Sequence, residues 1–230
     1  EAIDVQADLL VTHHPLFLRP VHSVAATSAK GRVVHDLIGH GIALICAHTN
    51  ADHATGGVSD ALAAALGLQG LRPLEPLADP VTGTGRVGTL PARVSLEQFA
   101  EHVAAVLPPT EHGVRVAGDP MAVIETVAVC GGAGDSLLDL AALQADAYVT
   151  SDLRHHRAQD HLAQSGCALV DVAHWAGEWP WLEVLAGALR EDLAGAGSSV
   201  EVLVSTTPTD PWTAHVPGSH RGPRSQGVPQ

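Results

Sequence analysis

Short apolar runs in this chain end abruptly at polar residues, a pattern typical of buried strands in α/β domains. The first run, residues 7–12, ends at two histidines and a proline, and the second, Ile42–Ala47, ends at His48. Between them, residues 31–40 carry apolar positions at helical spacing, and Gly41 ends that helix. This pattern predicts a strand–helix–strand unit in which both strands are buried.

The rest of the chain follows similar patterns. Residues 58–66 form an Ala-rich helix, and the capping box Ser95-Leu-Glu-Gln98 begins a helix that runs to about Leu107. The prolines and glycines of residues 70–88 predict loops. Further strands are predicted near Val114–Ala117, Thr126–Cys130, Cys167–Val172 and Val200–Val204, and further helices over about 136–143, 156–164 and 181–193.

Part of the first unit recurs later in the chain. Residues 7–12 read Ala-Asp-x-x-Val-Thr, and so do residues 145–150. In each copy a helix, a glycine and a buried strand follow, and the second strand ends in Ala-His-x-x-x-acid, at 47–52 and at 173–178. The repeat predicts two related βαβ units that form one two-lobed α/β domain.

We expect this domain to span residues 1–212, with lobe halves at about 1–72 and 120–212 and a connecting region at about 73–119. Residues 213–230 lack periodicity and are rich in Gly, Pro and Ser, so a disordered tail is predicted there. The chain begins with Glu1 instead of Met, which predicts that it is a fragment.

Composition narrows the classes of function. Twelve basic residues against 25 acidic ones give a net charge of −13, which disfavours a general nucleic-acid or anionic-membrane binder. No apolar run reaches the roughly 18 residues of a membrane span. The three cysteines form no Cys-x-x-Cys, and Cys46 and Cys167 lie in apolar runs where we expect them to be buried. This usage is typical of a reducing compartment, so a cytoplasmic location is predicted.

Metal-ligating residue types follow three of the predicted strands, at His13 and His14, at Asp52, and at His174 and Glu178. Each motif alone favours an ordinary explanation, such as a solvent-facing histidine pair or a helix-capping aspartate. However, strand ends in open α/β sheets are where ligands bind. Imidazoles and a carboxylate that can bridge two cations suit a dinuclear centre of zinc, iron, manganese or cobalt. Together the motifs predict two divalent metal ions between the lobes.

The motifs His13-His14-Pro-Leu-Phe17, Ala47–Asp52 and Ala173–Glu178 resemble the signatures of the Nif-three-like dinuclear-metal-centre proteins, also described as GTP cyclohydrolase I type 2 homologues. The resemblance covers about residues 2–212. It implies that His14 and Asp52 hold one metal ion, that His13 and His174 hold the other, and that Glu178 bridges them. It places His48 beside the ligands, and it implies a homohexameric toroid whose metal sites face an internal cavity.

The chain departs from the family pattern in several places. Ala173 replaces a glycine, and Thr150-Ser151-Asp152 stands where the family has Thr-Gly-acid, so we expect Asp152 next to the site. Residues 74–84 are too few for the domain that longer members insert, which indicates a short-form member. The family's strand–helix segment before the His-His motif is mostly absent, so we expect the sheet to lack a strand.

Two further groups of residues have open assignments. His155 and His156 fit solvent-facing positions at a helix start better than metal ligation, yet they could line the cavity and meet an anionic substrate. Trp175, Trp179 and Trp181 are expected at the wall of the site or at a subunit contact.

The favoured function is a metal-dependent hydrolase in which a metal-bound water attacks a nucleotide or another small anionic substrate. The resemblance implies GTP ring opening, although the sequence has no P-loop or Gly-rich phosphate cradle. A non-enzymatic metal carrier or interaction hub is the alternative, favoured if no coordination position is open. A dinuclear phosphoesterase is weaker, because such sites need more Asp and Asn ligands than are visible here.

Overall fold

Two sheets organise the chain in the computed structural model, which describes residues 1–217. The smaller sheet is parallel and contains β1 (Leu9–Thr12) and β2 (Ala43–Cys46), which α1 (Ala29–Gly39) connects. The larger sheet has six strands, in the spatial order β3 (Gln69–Pro76), β4 (Gly83–Ser95), β6 (Val123–Ala133), β7 (Ala147–Ser151), β8 (Ala168–Asp171) and β5 (Arg115–Ala117).

Parallel strands β6, β7 and β8 form the centre of the larger sheet, and antiparallel strands flank them on both sides. A 3₁₀ turn at Asp135–Leu137 follows β6. The other helices are α2 (Thr49–His53), α3 (Val58–Ala65), α4 (Leu96–Val106), α5 (Leu138–Ala142), α6 (His155–Gln164), α7 (His174–Glu178) and α8 (Pro180–Gly195).

The predicted fold class is confirmed, because β1–α1–β2 and β7–α6–β8 are both parallel βαβ units. Their registers differ by one residue. The amide of Ala47 donates to the Thr12 carbonyl at 2.9 Å, whereas the amide of Val172 donates to the Thr150 carbonyl at 2.9 Å. The second unit therefore has one more residue before its Ala-His motif.

Apolar side chains cover both faces of the central strands, as expected for parallel strands. Val127 and Val129 face α3 and α4, whereas Ala128 and Cys130 face α5. The region 73–119, predicted as a connection, contributes β4, α4 and β5 to this sheet and its core. The capping box predicted at residue 95 is present at the start of α4.

The loops predicted over residues 70–88 are wrong, because β3 and the beginning of β4 occupy most of that region. Proline is tolerated in β3 since this strand lies at the edge of the sheet, where one side of the backbone has no partner. Close packing favours glycine at Gly88, because a Cβ there would lie 2.9 Å from the backbone carbonyl oxygen of Gln69. Prolines and glycines that resemble loop signals therefore belong to an edge hairpin.

The strand predicted at residues 200–204 is also wrong, because this segment forms neither helix nor strand. Its backbone is held by side chains instead of a neighbouring strand. Arg190 Nη2 donates to the Val202 carbonyl at 2.8 Å, and Trp179 Nε1 donates to the Ser205 carbonyl at 3.0 Å.

The first βαβ unit is more exposed than predicted. Ile45 in β2 is 53% exposed, and Cys46 is exposed, whereas Cys167 is buried as expected. Within the described residues, β1 and β2 pair only with each other, and all residues of β2 are exposed. Among residues 1–47, Gly31 and Ile42 are the buried positions.

No helix within residues 1–217 is both long and apolar enough to cross a membrane. Residues 213–217 form neither helix nor strand, and the remainder of the predicted tail, 218–230, lies outside the described residues.

Candidate metal centre

The fold brings the five predicted ligands together between the first βαβ unit and the larger sheet. His13 and His14 follow β1, Asp52 lies in α2, and His174 and Glu178 begin and end α7. Positions four residues apart in a helix lie on the same face, and His174 Nε2 is 2.9 Å from Glu178 Oε1. The side chain of Glu178 is 12% exposed and contacts all three histidines.

The backbone determines which nitrogen of His13 faces the site. His13 Nδ1 lies 2.8 Å from the Ala47 carbonyl, which can only accept, so Nδ1 carries the hydrogen and donates. In neutral His13, Nε2 then presents a lone pair. It faces Asp52 Oδ1 at 3.5 Å and Glu178 Oε1 at 3.6 Å. A cation or a proton between these three acceptors would offset their mutual repulsion.

Asp152 orients His174 in the same manner. Its Oδ2 lies 2.7 Å from His174 Nδ1 and accepts that hydrogen. His174 Nε2 is thereby directed towards Glu178, and it also lies 3.3 Å from His14 Nε2. Carboxylates that hold the second nitrogen of an imidazole ligand are common in metal sites. Asp152 adopts a left-handed backbone at φ 57°, which is uncommon outside glycine.

The close contacts pair the ligands differently from the assignment that the family resemblance implies. His13 approaches Asp52, whereas His14 approaches His174. Glu178 Oε2 lies 3.4 Å from His14 Nε2, and Oε1 faces His13 and His174, so the two oxygens of Glu178 meet both pairs. The side chain of His14 is 46% exposed, which leaves this end of the site open to solvent.

In the metal-free protein, the close approach of these side chains shifts their pKa values. Burial alone would raise the pKa of Glu178, but hydrogen bonds from His14 and His174 lower it to about 2. The hydrogen bond with Glu178 raises the pKa of His174 to about 9, against the effect of burial. Burial raises the pKa of Asp52, and the nearby charges of His13 and His48 oppose that shift. In the metal-free protein, the proton on His174 therefore supplies a positive charge next to Glu178.

His48 lies directly beside two of the proposed ligands. Its ring centroid is 5.0 Å from that of His13 and 5.4 Å from that of His14. One ring nitrogen from each of these three histidines lies within 4.8 Å of the others, as metal ligands from a common set would. Its Nδ1 lies 3.2 Å from Thr49 Oγ1.

His155 and His156 lie at the first turn of α6. Their ring centroids are 5.0 Å apart. Among the described residues, neither forms a hydrogen bond or ion pair with the five predicted ligands. Trp181 lies at the site wall, because it is 5% exposed and its ring meets the His13 ring edge-on at 5.5 Å.

Gly132 is a site residue that the sequence reasoning missed. A Cβ at this position would lie 2.4 Å from Glu178 Oε1 and 3.2 Å from His174 Nε2. Its φ of 70° also favours glycine. The available signal was the Gly131-Gly132 pair at the end of the apolar run of β6. A side chain there would occupy the space in which the donor atoms converge.

The donor set fits divalent cations. Imidazole nitrogens and carboxylate oxygens are ligands for zinc, iron, manganese and cobalt, and within the described residues no cysteine belongs to the candidate ligand groups. Hydrogen bonds to Ala47 and Asp152 engage Nδ1 of His13 and of His174, so the Nε2 atoms of both rings point into the site.

Comparison with known proteins identifies a matching family model and relatives that share one name. The family model described as Duf34/NIF3 (NGG1p interacting factor 3) matches residues 1–211. A protein of Streptomyces coelicolor named GTP cyclohydrolase 1 type 2 homolog is 54% identical over 220 residues, covering 94% of this chain and 77% of the relative. A Mycobacterium tuberculosis protein of the same name is 35% identical over 315 aligned positions, covering 90% and 82%.

Solved structures with this fold include a Bacillus cereus protein related to NIF3. It superposes with a TM-score of 0.86 at 25% identity, over 92% of this chain and 84% of that one. A hypothetical protein of Staphylococcus aureus gives a TM-score of 0.85 at 26% identity, over 93% and 82%.

Proposed function

Because this chain belongs to the Duf34/NIF3 family, we propose that it is a dinuclear metal protein that acts as a metal-dependent hydrolase. The observation that supports this most strongly is the convergence of the inward-facing Nε2 atoms of two imidazoles on one buried carboxylate. The proposed ligands are His13, His14, Asp52, His174 and Glu178.

The contacts favour one ion between His13 and Asp52 and a second between His14 and His174. Glu178 would bind both, since its two oxygens face the two pairs. Asp152 holds the Nδ1 hydrogen of His174, which keeps Nε2 directed at the centre.

When bound, two such ions supply an acidified water molecule and polarise a carbonyl, imine or phosphoryl oxygen of a substrate. The protein contributes access and positioning. The exposed His14 leaves one side open to a substrate, whereas Trp181 excludes water from the His13 side. An open side favours catalysis over a closed carrier site.

GTP is the first substrate to test, because relatives at 54% and 35% identity bear the name GTP cyclohydrolase 1 type 2 homolog. The experiment measures bound metal by elemental analysis, and turnover of GTP and of a phosphoester panel with and without chelator. We expect about two ions per chain and chelator-sensitive turnover. Metal without turnover of any substrate would identify a non-enzymatic metal protein.

Glu178→Gln and Glu183→Gln form a matched pair of variants for this experiment. Glu183 is an exposed residue in the first turn of α8, five positions from Glu178. We expect loss of at least one ion in the first variant and unchanged metal content in the second. Full metal content in Glu178→Gln would refute the proposed centre.

We also propose that the protein assembles as a homohexamer. Leu9 and Ile45 are 45% and 53% exposed on the first βαβ unit, and such apolar surface is typical of contact sites. Light scattering coupled to size exclusion measures the mass in solution, and a monomer at micromolar concentration would refute this assembly.

A further inference from the structure

Strand β6 contains a bulge where it passes the candidate metal centre. Val129 of β6 pairs with Val149 of β7, and the next pair along the two strands joins Ala133 to Ser151. Between these two pairs β6 has three residues, whereas β7 has one, Thr150. Extra residues of this kind bend a strand and redirect its backbone, and bulges are common next to functional sites.

The bulge brings the backbone of Gly132 against two of the proposed ligands. Glu178 Oε1 and His174 Nε2 occupy the space that a side chain at Gly132 would fill. The neighbouring Gly131 is also close, because a Cβ there would lie 3.7 Å from Glu178 Cγ. The gap in which these donor atoms meet therefore depends on the conformation of the bulge.

Thr150 holds this bulge through its side chain. Its Oγ1 donates to the Gly132 carbonyl at 3.0 Å, and the residue is fully buried. The preceding amide, that of Gly131, donates to Ser59 Oγ at 3.3 Å, which connects the bulge to α3. Because the bond of Thr150 is buried, water cannot readily replace its hydroxyl as the donor to Gly132.

The equivalent threonine of the first βαβ unit forms a similar bond. Thr12 and Thr150 occupy the same position in the repeated Ala-Asp-x-x-Val-Thr sequence. Thr12 Oγ1 donates to the carbonyl of His14 at 2.9 Å. In each unit, the threonine of this motif therefore bonds to a backbone carbonyl of the candidate centre.

We propose that Thr150 is a positioning residue for Glu178 and His174. Its hydroxyl fixes the Gly132 carbonyl, and the bulge held in this way leaves the gap in which the two side chains meet. The importance of this role for metal binding rests on the proposed function, whereas the gap itself is present without metal. The role can therefore be tested in the metal-loaded and the metal-free protein.

Thr150→Val, Thr150→Ser and Tyr148→Phe provide the test. Valine puts a methyl group in place of Oγ1, and 3.0 Å from the Gly132 carbonyl oxygen is too close for a carbon atom. Serine keeps the hydroxyl. Tyr148 is the matched control, because its buried hydroxyl donates to the carbonyl of Gly134 at 2.9 Å. A Cβ at Gly134 would meet side chains of β6 and β7 before any of the proposed ligands.

Chelator competition measures the metal affinity of these variants. We expect Thr150→Val to weaken metal binding about tenfold or more, and Thr150→Ser and Tyr148→Phe to weaken it by less than about threefold. Unchanged affinity in Thr150→Val would overturn the proposal. So would equal losses in Thr150→Val and Tyr148→Phe, because an effect common to both variants would come from general destabilisation.

Nuclear magnetic resonance of the metal-free protein gives an independent result. We expect a nuclear Overhauser effect between the Hα protons of Gly132 and the ring protons of His174 in the wild type and in Thr150→Ser, and its loss in Thr150→Val. An effect that persists in Thr150→Val would overturn the proposal. If the wild type binds no metal but shows this difference, the proposed metal function fails, whereas the positioning role of Thr150 is supported.

Discussion

Arg86 joins α3 to the β3–β4 hairpin through a fully satisfied guanidinium. The residue is 2% exposed. Its Nε and Nη2 donate to the two oxygens of Asp60 at 2.6 and 2.9 Å. Nη1 donates to the carbonyls of Gly83 and Gly85 at 2.7 and 2.8 Å, and Nη2 also donates to that of Ala54 at 2.9 Å. All the N–H groups therefore have partners, and Asp60 provides the compensating charge.

Asp60→Ala leaves that guanidinium buried without a counter-charge. Breaking one side of a buried ion pair costs about 3–5 kcal/mol. The side chain of Asp60 is 18% exposed, which favours the lower end of that range. The substitution also removes the acceptor of the Gly56 amide, at 2.8 Å, which adds about 1 kcal/mol. We expect a loss of about 4 kcal/mol in the free energy of unfolding.

Urea denaturation of the metal-free protein measures this loss, and a double-mutant cycle with Arg86→Met isolates the pair. Asp139→Ala is the control, because that side chain is 83% exposed and its ion pair with Arg157 is long, at 3.6 Å. The control is expected to change stability by less than about 0.5 kcal/mol. A loss below about 1 kcal/mol in Asp60→Ala, or a coupling energy near zero, would refute the reasoning.

Three further predictions concern the metal centre. Gly132→Ala is expected to lower metal affinity about 10–100-fold in chelator competition, because its Cβ would displace Glu178; unchanged affinity would mean that the carboxylate moves freely. Asp152→Ala is expected to lower affinity by a similar 10–100-fold factor, since His174 loses its orienting acceptor; equal affinity would contradict that role. For the metal-free protein, His174, with its pKa raised from 6.5 to about 9, stabilises the fold fully below pH 6.5 and loses this effect as pH rises through 9. Glu178, with its pKa lowered from 4.5 to about 2, stabilises the fold above pH 4.5 and loses this effect as pH falls through 2. Melting temperature should therefore be highest between about pH 4.5 and 6.5, and a flat alkaline limb would contradict the His174 contribution.

The sequence predicted the elements whose pattern is set locally or by burial on both faces. The apolar run before His13 forms a strand, although it is less buried than predicted, and the Ser95 capping box begins α4 as expected. The hairpin of β3 and β4 was missed because its prolines and glycines resemble loop signals. The structure accommodates them through the edge position of β3 and through close packing between the strands. Such tolerance depends on neighbours that are distant in sequence.

The same distinction applies to the candidate centre. The repeat and the strand ends indicated which residues approach each other, because ligands bind at the strand ends of such units and both units place polar residues there. The sequence could not indicate that His13 approaches Asp52 and His14 approaches His174, since that pairing depends on side-chain directions across two separate units. Gly132 was missed because its importance lies in a missing side chain.

The first βαβ unit contributes Gly31 and Ile42 as its buried residues, so it has almost no core of its own. Within residues 1–217, the polar contacts of residues 1–47 with the rest of the chain are made by His13, His14 and Glu1. Metal binding at the proposed centre would therefore be thermodynamically coupled to the position of this unit, and such coupling is reciprocal. Any molecule that covers the exposed face of β2 and holds the unit in place would act as an allosteric effector. It would raise the affinity of the protein for metal, and metal would raise the affinity of the protein for that molecule by the same factor.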